Sequence, residues 1–241
     1  MLYLYWRKAG LSLLILLISL SWGFAQHGMG NLNYFAFSKK PYYFGLRIGT
    51  NYADYKINRS KDFIGNQDYK GIKSITGRGA SASVIFNLKI GQFFDVRLLP
   101  SVAFINRNIE FTRAINQTED VFDRVESIYL EMPILLRYKS LPYKDKKAFI
   151  VGGIKYAYDV QSNAKFQGDR FNDLLKTSPH DFAFEIGAGV QFFFQYFIFS
   201  PEIKFSQGID NVLIFSRDNN RVKIIERIFT RSLSLAIHLE G

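Results

Sequence analysis

The residues in this chain with the most chemical potential are charged side chains spaced two apart. Arg47, Asp95, Arg97, Glu131, Arg137, Lys155, Glu185, Glu202 and Lys204 each sit on the polar side of a segment that alternates apolar and polar positions. Period two places such residues on one face of a sheet. Two kinds of chemistry are open to that face: a polar conduit with proton-linked sites, or a compensated network of ion pairs that fills and closes an interior. Five of these residues are basic and four acidic, and buried charges need partners, so the network is the expectation. Catalysis has little to work with. The histidines are His27, His180 and His238, read respectively near the start of the mature chain, at the base of a long loop and at the end of the last strand, and none of them can share a site with an obvious nucleophile. Asp169, Asp173 and Asp181 share a loop, but their spacing matches no calcium-loop motif and they read as solvated acids. Cysteine is absent, which excludes a disulfide framework, a thiolate metal site and a lipobox anchor. No enzyme, cofactor or metal is expected.

Elements that could position these charges follow from the same alternation. Tyr43 to Tyr55 sets Phe44, Leu46, Ile48 and Tyr52 against Gly45, Arg47, Gly49 and Asn51. Gly77 to Ile90, Phe93 to Phe111, Ile128 to Lys139, Ala148 to Val160, Phe182 to Phe194, Tyr196 to Ser206 and Arg231 to Glu240 repeat the scheme. The polar sides are Gly, Ser, Ala and charges of both signs. A soluble β-sandwich would need its apolar face to build the core and its polar face to meet water. Here the polar face closes on itself and the apolar face is left to find lipid. The expected fold is all-β: an eight-stranded antiparallel transmembrane β-barrel with short periplasmic turns and long extracellular loops. At that size the interior is just wide enough for side chains to fill it, so no sizeable solute can pass.

Connections alternate in length. Lys56 to Thr76, Thr112 to Glu126, Gln161 to Asp181 and Gln207 to Thr230 are long and polar, and the others, such as Gly91-Gln92, are short. An even strand count puts both barrel termini at the short-turn, periplasmic end, where Tyr42, Phe93, Tyr138, Phe149 and Tyr196 read as an interfacial girdle. Apolar Phe171, Leu174, Leu175, Ile214 and Phe215 in the long loops could dock a partner or fold over the barrel mouth. Pro100, Pro133 and Pro201 fall mid-strand, where each removes a ladder donor, and bulges or stagger are expected there.

Upstream of the barrel, Arg7 and Lys8 precede an apolar run from Leu11 to Leu20 and the small residues Gly23 and Ala25. That is the pattern of a secretory signal peptide over residues 1–25, cleaved before Gln26. Residues 26–42 then form a periplasmic N-terminal segment and residues 43–241 the barrel. The chain has 31 Lys and Arg against 21 Asp and Glu. The excess is spread over strand ends and loops without a nucleic-acid stripe, and it suits the phosphates of outer-membrane lipids and lipopolysaccharide. Aromatics make up 17% of the residues, in keeping with membrane girdles.

The segment Tyr129-Leu130-Glu131-Met132-Pro133-Ile134-Leu135-Leu136-Arg137-Tyr138-Lys139 resembles the signature strand of Bacteroidetes outer-membrane barrels. Other matching segments are Asn31-Leu32 with Phe35, Phe44 to Asn51, Gly152-Gly153 with Tyr156 and Tyr158-Asp159, and Phe199 to Ser206. Together they resemble the PorT family across nearly the whole mature chain. Ala36 departs from the pattern, which has an acidic residue after Phe35. The resemblance implies an accessory or assembly part in type IX secretion, the export of proteins with C-terminal sorting domains, with possible support of gliding motility and with other type IX components as partners. A generic small structural or lipopolysaccharide-binding barrel would share every physical feature above.

Overall fold

A computed structural model describes residues 31–63, 69–113, 121–161, 177–214 and 224–241. The signal peptide, Asp169, Asp173, Phe171, Leu174, Leu175 and Phe215 lie outside the described residues. A short helix α1 (Leu32–Ser38) precedes nine strands: β1 (Tyr42–Arg59), β2 (Tyr69–Ile90), β3 (Phe94–Leu98), β4 (Ser101–Arg113), β5 (Val121–Lys139), β6 (Lys146–Asp159), β7 (His180–Phe193), β8 (Ile198–Gly208) and β9 (Ile225–Glu240). Every pairing is antiparallel. The order runs β1-β9-β8-β7-β6-β5-β3-β2, and β2 returns to β1, so the sheet closes in a ring.

The count is nine where the sequence predicts eight. The stretch read as one strand, Phe93 to Phe111, is divided at Leu99-Pro100 into β3 and β4, which share the neighbours β2 and β5. The expected bulge is absent there. Leu98 pairs with Ile134 and Ser101 with Glu131, so two residues on each strand fill the gap and the register passes through unchanged. Leu99 N–H still donates to the Pro133 carbonyl at 3.2 Å, and Val84 N–H to that of Pro100 at 3.1 Å. Pro133 and Pro201 also sit in unshifted register, opposite Lys155 and Ile237. A proline removes only its own donor, and the flanking residues hold the ladder. The register does shift at Gly77–Gly79 between Thr76 and Ala80 of β2. A Cβ on Gly77 would overlap the Asn106 carbonyl, and one on Gly79 that of Phe104. Glycine is what this close backbone approach requires.

Alternation sets the two faces. Phe44, Leu46, Ile48, Leu130, Ile134, Leu136, Ile150, Ile154, Ile186, Leu235 and Ile237 project outward and exposed, while Arg47, Asp95, Arg97, Arg137, Lys155, Glu185 and Glu202 point inward and are buried. Tyr42, Phe93, Tyr138 and Tyr196 are exposed at the short-turn end, but Phe149 is buried and leaves the predicted girdle. It stands one residue before outward Ile150, so strand parity turns it into the lumen.

The long-loop end is more ordered than the sequence suggests. Much of Lys56 to Thr76 and of Thr112 to Glu126 is strand, and β2 reaches 22 residues. At ~3.4 Å per residue that is about 75 Å of strand, which even when tilted rises about twice the ~25 Å apolar band of such barrels. Above the band the inward residues become apolar. Tyr55, Ile72, Ile109, Phe111, Ile224, Ile225 and Ile228 form a core, joined by Val212 and Leu213 from the β8–β9 connection. Val212 and Leu213 thus fold inward over the barrel mouth.

Candidate functional site

The interior is layered from the short-turn end upward. In the lowest layer Arg137, from β5, faces Asp95 on β3 in direct register. Its Nε donates to Asp95 at 3.0 Å and its Nη2 to the same carboxylate. Nη2 also reaches the Tyr43 hydroxyl and, at 3.2 Å, the Asn87 side-chain oxygen. Lys139 donates to the other Asp95 oxygen. Arg97 donates to Asn87 at 2.8 Å and pairs with Glu240 at the end of β9. Both guanidiniums lie beside the Phe149 ring, 5.9 Å and 5.2 Å from its centre, and the ring occupies the space over Gly189, its cross-strand partner. His238 lies 3.3 Å from Glu240 and 3.6 Å from Glu202.

A second layer sits above. Glu185 bridges Lys204 at 2.6 Å and Lys155 at 3.4 Å, and Lys155 continues to Glu131 at 2.9 Å. Ser101 donates to Glu131 at 3.2 Å. Arg47 donates to the hydroxyls of Ser81 and Ser234 at 3.1 and 3.2 Å. These strands bring the charges together because inward positions of neighbouring strands fall at the same height. The space left between Arg47, Ser101, Glu131, Lys155, Glu185 and Lys204 is about 20 Å³, room for a single water. A third layer pairs Arg107 with the rings of Tyr55 and Tyr129 and places Thr230 2.6 Å from Asp181. The apolar core closes the stack.

All nine charges read from the sequence therefore face the lumen, in two layers. Asp181 is corrected from a solvated loop acid to a buried residue of β7. Sequence reasoning missed Glu240 and Tyr43, which with Asn87 of β2 complete the lowest layer. Parity with His238 places Glu240 inward, and Tyr43 is the inward neighbour of Phe44, so the signal was present at both positions. His180 contacts the Tyr156 hydroxyl at 2.7 Å on the exposed surface, far from His238. Among the described residues no cluster of His, Asp and Glu is arranged to hold a metal.

An apolar outer belt around a charged, filled interior is the inverse of a soluble barrel. Residues 24–213 match the family model of the outer membrane protein beta-barrel domain. The chain belongs to this family. Solved structures are similar in fold. OprG from Pseudomonas aeruginosa superposes with a TM-score of 0.52 at 12% identity, covering 83% of this chain and 95% of that one. Ail of Yersinia pestis, in complex with the heparin analogue sucrose octasulfate, gives a TM-score of 0.40 at 12% identity over 84% and 100% of the two chains. At such identities the likeness concerns the fold alone. A search of curated proteins finds no match. As an outer-membrane barrel, the protein meets hydrocarbon with its belt and hides its charges from it.

Proposed function

We propose that the protein is a closed, non-enzymatic outer-membrane barrel that acts as an accessory or assembly factor, and that its process is type IX secretion. The observation that carries the first part is the lumen: two ion-paired layers and an apolar core leave about 20 Å³ around the central charges. Opening a path would separate charges held within 4 Å in a dry interior, at a cost of several kcal/mol per pair. The nine charges act on this reading as a structural network that holds the lumen shut. β3 and β4 count as one pass, which gives eight passes, and the short-turn end with both barrel termini faces the periplasm. The second part rests on the segments that resemble the PorT family, among them Tyr129 to Lys139 and Phe199 to Ser206. A closed barrel in an export system must work beside a larger conduit.

Purified protein in planar bilayers should show no large, stable conductance, and a steady open channel would overturn the closed-lumen reading. Deleting the gene in its native host tests the process. Proteins with C-terminal sorting domains should disappear from the surface and accumulate in the periplasm while other outer-membrane barrels assemble normally. Normal export would leave a structural barrel that stabilises the membrane or binds lipopolysaccharide. The basic residues at the long-loop end, including Lys56, Arg59 and Lys73, support that second reading.

A further inference from the structure

Helix α1 does not drift from the barrel; it lies across the short-turn mouth. Asp145 in the β5–β6 turn accepts from the Tyr34 N–H at 2.9 Å and from Asn33 at 3.3 Å, and its own N–H donates to Asn31 at 3.0 Å. Phe37 is buried against Phe193 and Ile198. Between this helix and the lowest charged layer remains a cleft of about 290 Å³ whose lining includes Lys89, Lys139 and Lys147 and no acidic residue. Lys139 is held by Asp95. The other two are differently placed. Lys147 is buried, and its Nζ meets the Tyr34 hydroxyl at 3.1 Å and lies 4.3 Å from the centre of that ring. Lys89 donates to the Phe37 carbonyl and lies 5.4 Å from the Tyr43 ring centre. Neither is paired with a carboxylate among the described residues. Lys40 adds a further cation above Phe37.

Two sheltered ammonium groups with no carboxylate in contact among the described residues are costly to bury, and the nearest acid, Asp95, is already engaged by Arg137 and Lys139. An anion in the cleft removes that cost. A carboxylate would balance one of them, whereas a phosphate dianion balances both, and Lys is a compact point-charge partner for phosphate. The Tyr34 hydroxyl and the Gln191 amide supply further polar groups, and Phe37 supplies an apolar wall for what the phosphate is attached to. We infer that the cleft under α1 is a binding site for a phosphate-bearing ligand, with Lys89 and Lys147 as its charge partners.

Two sources share this chemistry, a soluble phosphate monoester and the monoester headgroup of phosphatidic acid in the facing leaflet. Calorimetric titration of the folded protein in neutral detergent with glycerol phosphate, and separately with bicelles containing phosphatidic acid against phosphatidylcholine alone, distinguishes them. Saturable binding of glycerol phosphate identifies a soluble ester, and binding confined to the phosphatidic acid bicelles identifies a headgroup. In either case Lys147→Gln and Lys89→Gln should each weaken binding about tenfold, the weight of a lost charge-assisted contact. Lys147→Arg should retain it, and Glu226→Gln, exposed at the opposite end, should leave it unchanged. Lys89 sits at the rim, so its variant reports even where Lys147→Gln fails to fold. Absence of saturable binding with both probes, or binding unaffected by Lys89→Gln, would overturn the site.

Discussion

Arg137→Met removes the most connected cation of the lumen without changing side-chain length much. Arg137 has no solvent exposure and neither does its partner Asp95. The substitution leaves Asp95 with Lys139 alone, takes a donor from Asn87 and the Tyr43 hydroxyl, and withdraws a guanidinium 3.7 Å from Glu240. Removing one partner of a buried pair costs about 3–5 kcal/mol, because the remaining charge stays desolvated. Urea unfolding in detergent micelles, followed by far-ultraviolet circular dichroism and by the mobility of folded against unfolded protein on unheated gels, measures the loss. With a slope of about 2 kcal/mol per molar urea, the midpoint should fall by about 2 M. Arg137→Met combined with Asp95→Leu removes both charges, leaving Lys139 facing the cleft beneath α1, and should recover at least half of the loss. A single variant within about 0.5 M of wild type, or a double variant less stable than the single, would refute the view that compensation holds this layer together.

Gly77→Val should lower folded yield and cost at least ~2 kcal/mol, because its Cβ meets the Asn106 backbone and the bulge has nowhere to move; Gly91→Ala, at a turn with φ of 78°, should cost about 1 kcal/mol. Ile109→Ala, fully buried in the core above the apolar belt, should lose about 2–4 kcal/mol in the same urea assay. Phe37→Ala should release α1 from Phe193 and Ile198, seen as rapid protease cleavage within residues 31–41 while the barrel stays intact on unheated gels.

Within the apolar belt the strands are legible in the sequence because lipid on one side and a charged interior on the other impose opposite demands on successive residues. Ile128 to Lys139 keeps an apolar residue at every outward step, and its charges Glu131, Arg137 and Lys139 fall where the register puts them. Outside the belt the demand lapses. Ile72 and Ile228 are inward apolar residues in segments whose outward faces are polar, so the pattern reverses and reads as loop. Phe149 is lost for another reason: residue type, an aromatic near an interface, outweighed parity, which places it in the lumen. The prolines mislead because a missing donor is local, whereas a register shift needs an extra residue, and the residues that mark it are Gly77 and Gly79. Asp181 sits at a strand start whose position depends on pairing with Ala157, a partner that no local spacing names.

The apolar core formed by Ile72, Ile109, Phe111, Val212 and Leu213 rests on strands that have already left the membrane. The barrel therefore carries, above its bilayer-spanning half, a stretch built by the rules of a soluble protein, stabilised by water exclusion instead of lipid contact. The two halves are open to separate histories. Connecting segments at the tips of that stretch can lengthen, shorten or change composition without disturbing the belt that inserts or the charge layers that seal. With the long-loop end facing outward as proposed, the same division marks the β1–β2 and β4–β5 connections as grafting points for peptides to be displayed on a cell.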